Sequence, residues 1–142
     1  MKKIFVAGFF DPVKKELESS YQERLDSGSI IWVRQAGYRR EVNLNELSNR
    51  YLSALAGVDD VLVLLAVLRG KEWVVEKVNG IIDSGRRRSP NIATELRLFP
   101  NAGDRHGVLD AIATFGLLPQ TKFSSEAIRK KVETGKIGRA HV

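Results

Sequence analysis

The chain has 142 residues, 43% of them hydrophobic, with 12 glycines, 4 prolines and no cysteine. This suits one globular domain and excludes disulfides, cysteine-ligated metals and thiol chemistry. Lysine and arginine number 23 against 17 acidic residues, a formal charge of +6 that is spread along the chain and favours anionic partners only weakly.

No apolar run approaches the ~18 residues of a membrane-spanning helix. Met1-Lys2-Lys3-Ile4-Phe5 enters a strand pattern at once and leaves no room for a signal peptide. A cytoplasmic location is the expectation.

Elements alternate along the chain. Lys3 to Gly8 reads as a short strand. Asp11 is placed to cap a helix with Pro12 in its first turn, running to about Asp26 and stopping near Gly28. Ser29 to Val33 is a second strand. Asn43 or Asn45 caps a second helix, with Leu47, Tyr51, Leu52 and Leu55 at helical spacing and Gly57 at its end. Val61 to Leu68 is apolar throughout, which requires cover on both faces and marks a central parallel strand.

Lys71 to Ile82 is a third helix, with Trp73, Val74, Val78 and Ile81 turned inward. A loop follows from Asp83 to Asn91, with Arg86-Arg87-Arg88 as a solvated basic stretch. Ala93 to Phe99 alternates and ends at Pro100, so it is a strand nearer an edge. Arg105 to Phe115 is a fourth helix with Val108, Leu109, Ile112 and Ala113 inward. Leu117-Leu118-Pro119 is a short fifth strand, and Ser124 or Ser125 caps a final helix from Glu126 to Thr134. Strands alternating with helices of this length build right-handed βαβ units. The expected fold is a single three-layer, Rossmann-like α/β domain with about five mostly parallel strands and helices on both faces.

The last six residues, Ile-Gly-Arg-Ala-His-Val from Ile137 to Val142, resemble the translation of a sequencing adapter. The domain is therefore expected over residues 1–136, with 137–142 as a tail of metagenomic assembly and the natural chain continuing differently past it.

Ligands of such sheets bind beyond the carboxyl ends of the strands. That rule selects Gly8, Phe9 and Asp11 with Lys14, where a glycine turn meets a helix start that attracts anions. It selects Arg69-Gly70-Lys71 after the most buried strand. It also selects Asn101 to His106, where Asp104 and His106 offer a carboxylate and an imidazole, the side-chain type suited to general-base work. No G-x-G-x-x-G and no P-loop occur, no Ser/His/Asp set can be assigned, and no metal site is expected. Asp59 and Asp60 precede a strand and fall at the opposite end of the sheet.

Gly8-Phe9-Phe10-Asp11-Pro12-Val13 resembles the opening of the HIGH-type nucleotidyltransferases, roughly G-T-F-D-P-[VI]-H-x-G-H. Phe123-Ser124-Ser125-Glu126-Ala127-Ile128-Arg129 is similar to their I-S-S-T-x-I-R motif. Arg50 to Leu55 followed by Val58-Asp59-Asp60-Val61 is similar to their entry to the central strand. The resemblance implies the fold and a nucleotide pocket that includes Ser124, Ser125 and Arg129. The positions of the family's two phosphate-stabilising histidines are held by Lys14 and Leu17, its motif glycine by Glu16 and its threonine by Glu126. The catalytic set is thus incomplete, and whether chemistry occurs is left open.

Three readings follow. The first is a domain binding a nucleotide or another small phosphate ligand, with Mg²⁺ as a weak expectation, and akin to a degenerate nucleotidyltransferase. The second is a non-catalytic interaction or sensor module forming a homodimer. The third, ranked last, is nucleic-acid binding through Arg39, Arg40 and Arg86 to Arg88.

Overall fold

The structure, a computed structural model, describes residues 1–8, 11–33, 42–99 and 105–116, with the backbone alone for 11–13 and 105. In chain order the elements are β1 (Lys2–Ala7), α1 (Asp11–Ser27), β2 (Ile30–Val33), α2 (Leu44–Ser53), β3 (Asp60–Ala66), α3 (Trp73–Arg88), β4 (Ala93–Phe99) and α4 (Arg105–Thr114). The four strands form one sheet in the order β2-β1-β3-β4, with every neighbouring pair parallel.

Helices cover both faces. On one, Leu17 and Tyr21 of α1 and Val108, Ala111 and Ile112 of α4 pack on Ile4, Val6, Leu62 and Leu64. On the other, Leu47 and Tyr51 of α2 and Val74, Val78 and Ile82 of α3 pack on Phe5, Ala7, Val63 and Leu65. β3 therefore contributes alternate side chains to two separate cores, which is why its sequence is apolar without alternation. Each of its fully buried leucines contributes about 1.5–3 kcal/mol relative to exposure.

The three-layer Rossmann-like architecture is as the alternation of elements implies, with four described strands. The expected fifth strand at Leu117 to Pro119 and the final helix at Glu126 to Thr134 lie outside the described residues. Among the described residues, no helix is long and apolar enough to cross a membrane.

Two expectations are corrected. The loop from Asp83 to Asn91 is helical as far as Arg88. Ile82 and Gly85 are buried, so the segment continues α3's inward face, and three arginines in the last turn suit the negative end of the helix dipole. Trp73 is not inward but 50% exposed. It is the first residue of α3, and the burial stripe runs instead through Val74, Val78 and Ile82.

Candidate functional site

The chain passes from β1 to β2 in one direction and from β2 back across β1 to β3 in the other. The order reverses between β1 and β3, and this switch point is where an open α/β sheet leaves a crevice at its carboxyl edge. Ala7 pairs beside Leu65, so the two strands end together. Gly8 follows with φ +101°, and a Cβ there would lie 2.8 Å from the Ala66 carbonyl oxygen. Only glycine lets the backbone turn this close to β3. α1 then starts at Asp11, which brings its positive end to the same edge.

Arg69-Gly70-Lys71 leaves β3 at this edge too. The Lys71 amide donates to the Leu68 carbonyl at 2.9 Å, and Gly70 has φ +83°, so the segment is a tight turn. The Gly70 amide donates to Glu72 Oε2 at 3.3 Å, an internal partner that an incoming anion would have to displace. Arg69 is exposed, and Lys71 is half-buried.

Lys14 and His106 lie in different hollows. The Lys14 ammonium is 6.0 Å from the centre of the Trp32 ring, in a groove of about 240 Å³ between α1 and β2 that Leu17, Glu18 and Gln22 also line. His106 is exposed in the first turn of α4 and lines a larger groove, about 570 Å³, with Ser20, Tyr21, Leu109, Asp110 and Ala113. Helix α1 stands between the two. Phe9, Asp104, Ser124, Ser125 and Arg129, with Arg39 and Arg40, lie outside the described residues, as does the side chain of Asp11. Arg86 to Arg88 sit at the end of α3, and Arg86 is tied to Asp83 at 3.4 Å and to the Thr94 carbonyl at 3.1 Å.

The larger groove holds residues that sequence reasoning missed. Tyr21 sits where α1 leaves helical geometry, at φ −129° and ψ 26°. It is almost fully buried, and burial pushes its phenol up to about 12, with the Arg24 charge opposing. It packs in the same core as Leu17, one turn earlier in α1. Nothing in the sequence announces the kink that brings Ser20 and Tyr21 to the groove wall.

No known protein family, curated protein or solved structure gives a match to this chain. The functional reading therefore rests on the residues and their geometry.

Proposed function

We propose that the chain binds a small anionic ligand, a nucleotide or another phosphate compound, at the carboxyl edge of β1 and β3. The observation that carries this reading is the reversal of strand order at that point. Gly8 is packed against β3, α1 starts immediately beyond, and Arg69 and Lys71 supply cations from the neighbouring turn. Such a site would hold a phosphate by helix-terminal amides and positive charge rather than by a dedicated phosphate loop.

Within this reading, the kinship to HIGH-type nucleotidyltransferases would be that of a binding domain. Leu17 stands where the resemblance calls for a histidine, and it is fully buried in the α1 core, so it offers nothing to a reacting phosphate. Lys14 faces Trp32. Both observations favour ligand binding over nucleotidyl transfer.

The test is thermal denaturation with ATP, CTP and NAD, each with and without Mg²⁺. A ligand held about a hundredfold above its Kd raises stability by about 2.7 kcal/mol, a shift of roughly 5–10 °C for a domain of this size. The paired reversal Arg69→Glu with Lys71→Glu should abolish the shift while leaving the circular dichroism of the folded chain unchanged. No shift with any of the nucleotides at millimolar concentration would remove the nucleotide reading.

A further inference from the structure

The outer edge of β4 carries a self-complementary pattern. β4 is the last strand of the described sheet, seven residues reading Ala-Thr-Glu-Leu-Arg-Leu-Phe. It contains neither proline nor lysine, the residues that usually blunt an exposed edge. The Ala93 amide donates to the Asp59 carbonyl at 3.0 Å, and the Phe99 carbonyl accepts from the Val67 amide at 2.9 Å, so both residues direct their backbone groups at β3. These groups alternate along a strand. Those of Thr94, Leu96 and Leu98 therefore point away from the sheet. The Thr94 carbonyl accordingly accepts from Arg86 Nη2, and among the described residues no strand pairs with this edge.

We propose that β4 pairs antiparallel with β4 of a second copy of this chain, about a two-fold axis through Leu96, to make one continuous sheet. Backbone geometry restricts the axis. In an antiparallel pair outward-pointing residues must lie opposite outward-pointing residues, so the axis passes through a residue and not between two. Only Leu96 overlaps the whole strand. It sets Leu96 against Leu96 of the partner subunit and Thr94 against Leu98 of the partner subunit.

The same register sets Glu95 opposite Arg97 of the partner subunit, and Arg97 opposite the partner's Glu95. Both belong to the face that Ala66 and Phe99 share, as their pairing with Leu62 and Leu64 requires. Glu95 and Arg97 are exposed and bonded to each other at 2.6 Å, so pairing would build a four-charge network from two existing ion pairs. A register centred one residue away, on Glu95 or on Arg97, would set like charges directly opposite each other. On the other face, Leu98 is 47% exposed, and it would be covered in the pair. The Arg86 contact need not be lost, because a carbonyl oxygen can accept twice.

The test is sedimentation equilibrium of the full chain up to several hundred micromolar, a range suited to a small interface. The wild type should associate to a dimer. Glu95→Lys makes both positions basic and Arg97→Glu makes both acidic. Each should weaken the dimer by about tenfold or more, because two symmetry-related pairs turn repulsive. An equimolar mixture of these two variants should form a heterodimer, since acid then faces base at every pair. An effect confined within one strand could not produce that recovery. Unchanged circular dichroism should accompany each variant. A monomeric wild type, a dimer indifferent to both reversals, or variants that fail to combine would each overturn the proposal.

Discussion

The two helical layers are built to different tolerances. On the α2/α3 side, Gly85 approaches Tyr51 so closely that an added Cβ would lie 2.5 Å from its Cε2. The Tyr51 ring meets Phe5 edge-on at 5.8 Å, and its hydroxyl shares a 3.0 Å hydrogen bond with Thr94 Oγ1. Helix, helix and sheet meet at one ring with no slack. On the α1/α4 side, α1 is kinked at Tyr21 and a groove of about 570 Å³ lies along the helix pair. One layer spends its side chains on packing around that ring and carries a smaller hollow, about 350 Å³, lined by Asn49, Leu52, Ser53 and Arg88. The other leaves a hollow lined by Ser20, His106 and Asp110. Of these two hollows, the larger is on the α1/α4 side.

The layer built around Tyr51 is the easier to break. Gly85→Ala should destabilise by about 2–4 kcal/mol, because an inserted methyl must displace a packed ring. Gly80→Ala, five positions earlier in the same helix, meets nothing within 4 Å and should be neutral or stabilising by up to about 1 kcal/mol. Urea unfolding of the two variants checks the pair. Equal effects would mean that the close approach of α3 to Tyr51 carries no energy.

That contrast also explains what the sequence could convey. Apolar runs and caps placed four strands and four helices in the described chain, and the unbroken run from Val61 announced an interior strand. Helix α3 was legible only to Ile82, because Asp83-Ser84-Gly85 carries the local signature of a turn. Gly85 is instead a contact residue, and its reason lies on another helix. Strand order was equally hidden, since periodicity does not say which strands pair. For the site, strand-end loops could be named, but not that α1 would divide Lys14 from His106. That division depends on which side of a helix each residue takes in the packed layer.

The open layer has a titration signature. The Tyr21 phenol is raised to about 12 in the folded chain, against an ordinary value near 10. Below about pH 10 it is neutral in both states, and its contribution is fully present. As pH rises from about 10 to 12 the unfolded chain releases this proton while the folded chain keeps it, so stability falls. The loss is on the order of 1–2 kcal/mol. Because lysines titrate in the same range, the measurement is the difference between wild type and Tyr21→Phe in urea unfolding. That difference should drift against the wild type only above about pH 10. A flat difference would mean that Tyr21 is wetter than its burial implies.

A smaller effect belongs to the start of the α2/α3 layer. Asn43 Oδ1 accepts from the Glu46 amide at 3.1 Å and caps α2, whereas α3 begins without a side-chain cap. Asn43→Ala should cost about 1 kcal/mol by chemical denaturation, with α2 amides near the cap exchanging faster. No loss would mean that packing of Leu47 and Tyr51 alone holds the helix start.

The smallest expected effect is the most direct test of the hollow. Ala113 lines the groove between α1 and α4, next to Leu109. In a well-packed core, adding three carbons costs about 1–3 kcal/mol through forced rotamers and backbone shifts. In a groove open to solvent, a leucine at 113 has room to extend over Leu109, and leucine is nearly as good a helix former as alanine. Ala113→Leu should therefore change stability by less than about 0.5 kcal/mol, as surface substitutions usually do. A loss above about 1.5 kcal/mol would show that the α1/α4 side is packed as tightly as the side built around Tyr51. The two layers would then differ in composition but not in tolerance, and the groove would lose its claim to be a place where anything binds.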